Sequence, residues 1–320
     1  MAEKNLIVIA LGGNALQQKG EKGSFEEQYN NVKQTSKKIA DLIERGYKVV
    51  ITHGNGPQVG STMLRHDAGK KLYDLSPYPM DACGAETQGM IGYMICQALR
   101  NELKSRHIDK YVVSVVTRDI VDENDPAFKN PSKPVGPFYT KEEADKYKQQ
   151  FPDFVYKEDA GRGWRRVVPS PDPKIVAERF AIKTLIDAGF IVVANGGGGI
   201  PVVEIDGVTK GVDAVIDKDL GGQRLATLLG ASKFIILTDV DAASLNYNTP
   251  QQQKLGRITV EKMKEYYDQG HFKAGSMGPK VLASIRFIES GGEESIIAQL
   301  SQLSEALEGK VGTHIITPRG

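Results

Sequence analysis

The chain has little of what would identify an exported, membrane-spanning or nucleic-acid-binding protein. Its 320 residues include two cysteines, Cys83 and Cys96, which are too few for a disulfide framework and wrongly spaced for a zinc pair. No apolar run is long enough to span a bilayer, and the first strand is entered without an export-signal pattern. The formal net charge of +1 provides no broad field for nucleic acid or an anionic membrane. These absences predict a cytoplasmic protein with no membrane or nucleic-acid partner.

Several common catalytic and phosphate-binding motifs are also absent. There is no Gly-x-x-x-x-Gly-Lys-Ser/Thr loop, and no Gly-x-Gly-x-x-Gly opens a helix with an acidic residue on the following strand. No Gly-x-Ser-x-Gly turn occurs, and the five histidines show no metal-ligand spacing, so no side chain is assigned to a metal. If the chain binds phosphate, it must do so in another architecture.

What the chain does have is strands that run directly into glycine and asparagine. They occupy residues 6–14 (LIVIALGGN), 49–57 (VVITHGNGP) and 191–199 (IVVANGGGG). In an open parallel sheet, ligands bind beyond the carboxyl ends of the strands, and glycine lets backbone N–H groups approach an anion there. The pattern predicts a site for a small anionic group or a phosphate chain.

Strand-like and helix-like segments alternate over most of the chain, which predicts an open, mainly parallel α/β sheet with helices on both faces. Ser24 and Glu27 form a capping-box pattern at the start of the first helix, which stops at Gly46. The predicted helices are 24–46, 82–104, 174–188, 220–229, 279–289 and 302–308. The predicted strands after the first are 47–52, 111–117, 190–194, 233–238, 295–298 and 313–317.

The composition changes between residues 122 and 173, where prolines cluster among charged and aromatic residues. Trp164 lies in this segment. This segment is too long for a simple loop and does not have the pattern of a βα unit. It is predicted to form a small inserted, protruding subdomain with the position of a lid. The whole chain, 1–320, is otherwise predicted to be a single domain.

Three lysines are candidate phosphate-binding cations because of their neighbours. Lys218 lies between two aspartates at a predicted helix start, Lys280 follows a glycine-rich turn and a proline, and Lys133 lies among prolines that fix the backbone. Phosphoryl transfer requires positive charge around the transferring group more than covalent chemistry. Glycine amides, lysines, a magnesium ion and a carboxylate that holds the lysines would supply it.

Each of these features also has an ordinary structural explanation. A lone lysine is usually a solvated surface charge, and a glycine-ended strand is often simply a tight turn. Asp217 and Asp219 could be helix N-caps, and Asp239 and Asp241 could be loop acids without a ligand. The joint occurrence of these features at successive strand ends favours the functional interpretation.

At the level of longer motifs, the chain resembles carbamate kinase of the amino acid kinase superfamily over essentially its whole length. The motifs that carry the resemblance are 10–15 (ALGGNA), 54–60 (GNGPQVG), 159–165 (DAGRGWR), 211–219 (GVDAVIDKD), 238–240 (TDV) and 274–281 (AGSMGPKV). The resemblance implies an αβα sandwich of the amino acid kinase fold, Mg²⁺ with ATP or ADP, carbamate or carbamoyl phosphate as the second substrate, and a homodimer. The implied reaction is reversible transfer between ATP and carbamate, which forms ATP physiologically, often at the end of arginine catabolism.

The resemblance also implies a role for each part of the chain. An N-terminal half, about 1–210, would bind the acceptor, and a C-terminal half, about 211–320, would bind the nucleotide. The implied acceptor loops are Gly12, Gly13 and Asn14 together with Gly54, Asn55 and Gly56. The implied catalytic residues are Lys133, Lys218, Lys280 and Asp219, which orients the lysines. The implied nucleotide site contains Asp217, Asp239, Ala243, Tyr247, Met277 and Gly278.

One departure from the wider superfamily narrows the interpretation. Many members have Lys-x-Gly-Gly at the end of the first strand, whereas this chain has Ala10 in the lysine position, so Lys133 or Lys218 is the natural substitute. This is a carbamate-kinase trait and argues against acetylglutamate kinase or aspartokinase. Two alternatives stay open: another small-acid kinase of the superfamily, and a catalytically silent nucleotide-binding protein.

Overall fold

The computed structural model describes residues 3–159, 161, 163–273 and 275–318. The helices in these ranges are α1 (Phe25–Glu44), α2 (Gly56–Tyr73), α3 (Met80–Ser105), α4 (Lys141–Gln150), α5 (Arg179–Asp187), α6 (Lys218–Leu229), α7 (Val260–Asp268), α8 (Met277–Glu289) and α9 (Leu303–Leu307). The strands are β1 (Glu3–Leu11), β2 (Lys48–His53), β3 (Val112–Ser114), β4 (Arg118–Val121), β5 (Lys133–Tyr139), β6 (Val155–Glu158), β7 (Trp164–Val168), β8 (Pro173–Val176), β9 (Ile191–Val193), β10 (Ile200–Ile205), β11 (Val208–Gly211), β12 (Ala231–Thr238), β13 (Ser244–Leu245), β14 (Gln253–Lys254), β15 (Arg257–Thr259), β16 (Glu294–Gln299) and β17 (Thr313–Ile316).

Within the described ranges, the largest sheet has eight strands in the order β15-β17-β16-β12-β1-β2-β9-β3. The strands from β16 to β3 in that order run parallel to one another. At the other edge, β17 is antiparallel to β16 and pairs in parallel with β15. The mainly parallel sheet predicted from the alternation of elements is therefore confirmed.

The side chains of β1 alternate between two apolar cores, one on each face of this sheet. One core contains Leu6, Val8 and Ala10 with side chains of α5, α6, α7 and α8. The other contains Ile7, Ile9 and Leu11 with side chains of α1, α3 and α9. Full burial of each large aliphatic side chain contributes about 1.5–3 kcal/mol, so burial on both faces holds the helices to the sheet. The result is the predicted αβα sandwich.

The proline-rich segment 122–173 lies between β4 and β8, which pair with each other in antiparallel fashion. It contains α4 and a separate antiparallel sheet in the order β5-β7-β6. A further sheet, β11-β10-β4-β8, lies next to this insertion. The inserted subdomain therefore has its own secondary structure and carries Lys133 as the first residue of β5.

Several local predictions are confirmed. Ser24 caps α1, and both hydrogen bonds of the capping box with Glu27 are present. The helix expected at 82–104 is α3, and the helices expected at 220–229 and 279–289 are α6 and α8, which begin two residues earlier. Asp217 is the N-cap of α6, since its side chain accepts a hydrogen bond from the Asp219 amide.

The helix predicted at 174–188 is wrong at its start. Residues Pro173–Val176 form β8, and the helix begins only at Arg179. Ile120 of β4 pairs with Ile175, so pairing between strands overrides the helical pattern at this point. The strand predicted at 111–117 is shorter and spans Val112–Ser114.

Several elements have no counterpart among the predictions, among them α2 and the hairpin of β10 and β11. Helix α2 was missed because Gly60 and Gly69 interrupt its apolar pattern. The hairpin of β10 and β11 turns at Asp206 and Gly207, which both have positive φ angles. An Asp-Gly pair between apolar residues is a strong hairpin signal, so the sequence did contain this information.

Among the described residues, no helix is both long and apolar enough to cross a membrane.

Candidate active site

Four neighbouring parallel strands end at the same edge of the main sheet. In spatial order they are β12, β1, β2 and β9, and all point in one direction. Their carboxyl ends therefore bring together the loops that follow Thr238, Leu11, His53 and Val193. Asn14 connects two of these loops, because its side-chain amide donates to the Thr238 carbonyl at 3.3 Å. The three glycine-ended strands of the sequence thus meet in one place.

At this edge, a single buried carboxylate holds two lysines. The Asp219 side chain is 3% exposed, and its two oxygens accept from Lys218 Nζ at 2.6 Å and from Lys280 Nζ at 2.9 Å. Lys218 and Asp219 come from the first turn of α6, and Lys280 comes from the first turn of α8. The contact joins two helices that are 61 residues apart in sequence.

Burial and the mutual charges of Asp219, Lys218 and Lys280 shift the pKa values of all three groups. Burial alone would raise the pKa of Asp219, but the charges of Lys218 and Lys280 outweigh it and lower this pKa to about 2. Burial lowers the pKa of Lys218, and the attraction of Asp219 opposes that change. For Lys280, burial lowers the pKa, but Asp219, Asp217 and Asp239 together outweigh it and leave the pKa raised. The arrangement keeps a negative carboxylate between cations inside the protein.

Lys133 approaches the same place from the inserted subdomain. Its Nζ donates to Asp217 Oδ2 at 2.7 Å, while Asp217 Oδ1 accepts from the Asp219 amide at 2.9 Å. The Lys133 side chain is 33% exposed, so it is more accessible to solvent than the lysines on Asp219. Asp217 is therefore the link between the inserted sheet and the Asp219 cluster.

The loop after β2 packs directly against this cluster. A methyl group on Gly54 would lie 2.9 Å from Lys218 Cδ, so the lysine stem passes closely over this residue. Asn55 donates from its side chain to Thr87 Oγ1 of α3 at 2.9 Å. Gly197 has a φ of +70°, and a methyl group there would lie 2.4 Å from Asn55 Nδ2. Glycine is required at Gly197 both by its backbone conformation and by this contact.

His53, the last residue of β2, is buried beside the cluster. Burial lowers its pKa to about 4, and the positive charge of Lys218 acts in the same direction. Its Nδ1 lies 2.9 Å from the Gly54 carbonyl oxygen, an acceptor, so Nδ1 carries the proton. The ring is neutral, buried and hydrogen-bonded to the backbone, so it supports the loop and is not suited to act as a nucleophile.

A cleft of about 690 Å³ opens next to the lysines. Its wall includes Lys218 and Lys280, the loop after β1, the loop after β12, and the start of α8. The sequence-predicted residues that line it are Gly12, Gly13, Asn14, Lys218, Asp239, Tyr247, Met277 and Lys280. The volume lies within the range of small-molecule sites, and the cations lie at one wall of an otherwise mixed polar and apolar surface.

Some predicted residues lie elsewhere. Ala243 is fully buried and does not line the cleft; its amide donates to Thr313 Oγ1 and its carbonyl accepts from the Leu255 amide. Gly278 is buried in the first turn of α8. Asn55 lines a separate cavity of about 20 Å³, with room for one water molecule. Ala160, Arg162 and Ala274, which belong to two of the motifs quoted above, lie outside the described residues.

Sequence reasoning missed several residues of this region. His53 and Thr87 support the loop after β2, and His271 and Phe272 line the cleft. The third glycine tract was noticed, but its contact with Asn55 was not foreseen. Of these features, only the glycine tract had a recognisable pattern in the sequence. The other residues reach this region because of how α3 and the loop before α8 pack.

Comparisons with known proteins agree with this geometry. The model of the amino acid kinase family matches residues 5–299, which makes the chain a member of that family and a phosphotransferase. A carbamate kinase of Pyrococcus furiosus is 59% identical over 310 residues, which cover 97% of this chain and 98% of that protein. A carbamate kinase of Clostridium perfringens is 48% identical over 312 residues, with 97% and 99% coverage.

A solved structure gives the same assignment. The carbamate kinase of Giardia lamblia bound to AMP-PNP superimposes with a TM-score of 0.93 at 46% identity, and the match covers 99% of this chain and 100% of that one. Within the amino acid kinase family, the chain therefore belongs to the carbamate kinases.

Proposed function

We propose that this chain catalyses reversible in-line phosphoryl transfer between ATP and carbamate. The observation that carries the proposal is the pair of lysines on Asp219 at the wall of the cleft, at the edge where the glycine-ended strands meet. The carbamate kinases among the relatives support the choice of acceptor. In the physiological direction, carbamoyl phosphate and ADP would form ATP, as a final step in the breakdown of arginine.

The nucleotide would occupy the cleft of about 690 Å³, with its phosphates toward Lys280 and the start of α8. The amides at a helix N-terminus and a cation with a raised pKa both favour anionic phosphates. Tyr247 lines the cleft and is 47% exposed, so it is available to contact the nucleoside.

The donor set of the cleft fits a magnesium ion that accompanies the nucleotide. Asp239 presents an exposed carboxylate to the cleft, whereas both oxygens of Asp219 are occupied by lysines. Magnesium is commonly held by one or two carboxylates together with phosphates and water. Asp239 would hold the ion, and the ion would neutralise charge on the nucleotide phosphates when bound.

The acceptor would bind between two glycine loops, Gly12-Gly13-Asn14 and Gly54-Asn55-Gly56. Carbamate is small, planar and singly charged, so backbone amides and asparagine side chains suffice to hold it. Lys218 passes over Gly54 and lines the nucleotide cleft, so it would lie between the two substrates. Lys133 would approach from the inserted subdomain, 122–173, which we propose acts as a lid.

In this mechanism the protein contributes positioning and charge. Lys218 and Lys280 would stabilise the negative charge on the transferring group and its equatorial oxygens, while Asp219 keeps both ammonium groups in place. Transfer would be direct, with the attacking and leaving oxygens in line and without a phosphoenzyme. His53 is not a candidate nucleophile because it is neutral and bound to the backbone.

Several wider features belong to the same proposal. The acceptor half would span about 1–210 and the nucleotide half about 211–320. We propose a cytoplasmic homodimer. The outer edge of the main sheet at β3 supports a dimer, since Tyr93 and Tyr111 near this edge are more than half exposed.

Acceptor profiling tests the proposed substrate. Purified protein is given ADP and Mg²⁺ with carbamoyl phosphate or with acetyl phosphate, and ATP formation is followed in a hexokinase-coupled assay. In the reverse direction, ATP is offered with carbamate or acetylglutamate. The proposal expects Mg²⁺-dependent turnover with the carbamoyl pair and little with the others. An inert carbamoyl phosphate, with turnover of another acid, would assign a different small-acid kinase activity.

A further inference from the structure

A cluster of three different metal-binding side chains lies outside the candidate active site. His66 is on α2, and Cys83 and Glu86 are one turn apart on α3. One ligand atom of each, a ring nitrogen, the thiol sulfur and a carboxylate oxygen, lies within 4.8 Å of the others. His66 Nε2 and Glu86 Oε2 are 3.2 Å apart.

We propose that His66, Cys83 and Glu86 form a binding site for a borderline-soft divalent cation of the Zn²⁺ class, which bridges α2 and α3. Tetrahedral zinc holds nitrogen, sulfur and oxygen ligands about 2.0–2.3 Å away, so neighbouring ligand atoms lie about 3–4 Å apart. The separation of 3.2 Å between His66 and Glu86 already lies in this range, and the other two separations are at most 4.8 Å. The soft sulfur and the imidazole select such a cation over Mg²⁺ or Ca²⁺, which prefer oxygen.

The accessibility of the cluster suits a site with three protein ligands and one water. Cys83 is buried, whereas His66 is 21% exposed and Glu86 is 42% exposed at the side chain. A cation can therefore enter from the solvent, and water can complete the coordination shell. Binding replaces the proton of the Cys83 thiol, which passes to the solvent.

The surrounding charges favour a cation. The carboxylates of Glu86, Asp81 and Asp67 lie near enough to Cys83 to act on it electrostatically. The same carboxylates attract a divalent cation. The Tyr78 ring lies 4.7 Å from the His66 ring, centre to centre, and its carbonyl oxygen lies 3.7 Å from Cys83 Sγ. The ring contact helps to orient His66, and the Cys83 thiol gives up its hydrogen bond to this carbonyl when the cation replaces its proton.

The position of the cluster gives the cation a structural consequence. Asn55 is the N-cap residue of α2, and its side chain donates to Thr87, the residue after Glu86. A cation that joins α2 to α3 would therefore fix the two helices that hold the loop at Asn55. The binding proposal itself does not depend on which reaction the chain catalyses.

Cobalt(II) is a suitable probe because a thiolate ligand gives it an intense near-ultraviolet charge-transfer absorption. Metal-free protein in excess Mg²⁺, which occupies oxygen-lined sites, is titrated with Co²⁺ and then with Zn²⁺. We expect the thiolate band to saturate at one equivalent and to disappear on addition of Zn²⁺. Cys83→Ser should abolish the band, and Cys96→Ser, a change on the same helix, should retain it.

Because Cys83 is buried, two surface-accessible variants provide an independent test. His66→Gln and Glu86→Gln should each weaken Zn²⁺ binding at least tenfold, as measured by competition with a chromogenic chelator. The proposal is overturned by the absence of a thiolate band at one equivalent. It is equally overturned if Zn²⁺ affinity is unchanged in His66→Gln and Glu86→Gln.

Discussion

Two carboxylates in this protein, Asp219, which is buried, and Glu294, which is partly buried, carry the same pattern of charge in different surroundings. Asp219 holds Lys218 and Lys280 at the carboxyl edge of the main sheet, and Glu294 holds Lys233 and His314 near the amino end of β16. Both carboxyl groups have pKa values lowered to about 2 although burial alone would raise them. A shifted pKa therefore does not by itself separate the two.

The two clusters differ in whether the cations that contact the carboxylate line a cleft. Lys218 and Lys280 line the large cleft, whereas Lys233 and His314, the partners of Glu294, do not line it. Lys233 and Glu294 are direct neighbours on adjacent strands, and His314 contacts Glu294 at 2.9 Å and the Val311 carbonyl at 2.8 Å. The hydrogen bond to Glu294 and the acceptor at the other ring nitrogen favour the protonated ring, so the pKa of His314 is raised although burial opposes the shift. Charge next to open space is available for a ligand, and charge enclosed by strands is available only for stability.

The largest expected contrast comes from neutralising each carboxylate with an isosteric amide. Asp219→Asn should lower kcat by about 10³-fold, because both lysines lose the group that positions them and Lys218 becomes easier to deprotonate. Glu294→Gln should leave kcat within about twofold, because its partners are remote from the cleft. Steady-state ATP formation from ADP and carbamoyl phosphate provides the measurement. Similar losses of kcat in both variants would contradict the proposed difference between the Asp219 cluster and the Glu294 cluster.

The next effect is on stability. Glu294→Gln should lower the free energy of unfolding by about 2 kcal/mol near neutral pH, since it leaves Lys233 and His314 without their carboxylate. The folded pKa of Glu294 is about 2, against an ordinary value of 4.5. A depressed folded pKa gives stability that is present above the unfolded value and is lost as the pH falls toward the folded value.

Urea unfolding at several pH values checks this sign. The difference in unfolding free energy between wild type and Glu294→Gln should be largest near neutral pH and should shrink between about pH 4.5 and pH 2. A difference that grows with acidity would mean that the carboxylate is not stabilised as an anion in the folded protein.

Lys133 should matter less than the lysines on Asp219. It is 33% exposed and has one carboxylate partner, so Lys133→Ala should lower kcat/KM for carbamoyl phosphate about tenfold, mainly through KM. Lys157→Ala is a matched control, because Lys157 is on the same inserted sheet but donates to the Pro131 carbonyl at 2.7 Å instead of to Asp217. Equal effects of the two changes would argue against a role for Lys133 at the acceptor.

The smallest predicted effect tests the packing of Lys218. Gly54→Ala places a methyl group 2.9 Å from Lys218 Cδ, so the lysine must shift slightly, and kcat should fall about threefold to tenfold. Gly89→Ala on α3 meets nothing within 4 Å and should leave kcat unchanged while stabilising the helix slightly. Unchanged kcat in Gly54→Ala would show that the position of Lys218 is not constrained by this loop.

The sequence was most informative where local signals and long motifs agreed. The glycine-ended strands, the capping box at Ser24 and the amino acid kinase fold followed from period, turn chemistry and resemblance. Sequence reasoning also singled out Asp219 as the residue that orients the lysines, and the structure brings Lys218 and Lys280 to its two oxygens. It was harder to predict which residues line the cleft, because Ala243, a predicted nucleotide-site residue, is buried.

What could not be predicted depends on contacts between distant segments. The pairing of Lys133 with Asp217 spans 84 residues, and the Glu294 cluster joins three strands. The start of the helix predicted at 174–188 gave way to strand pairing with β4. The His66, Cys83 and Glu86 cluster has no sequence spacing typical of a metal site, because its ligands come from two helices.

The most direct test of the account is the rate of Mg²⁺-dependent ATP formation from ADP and carbamoyl phosphate by wild type, Lys218→Ala and Lys280→Ala. The account predicts turnover by wild type and a loss of about 10²-fold or more in kcat for each variant, with the far-ultraviolet circular dichroism unchanged. Near-normal kcat in both folded variants would contradict the central claim that the two lysines on Asp219 stabilise the transferring phosphoryl group.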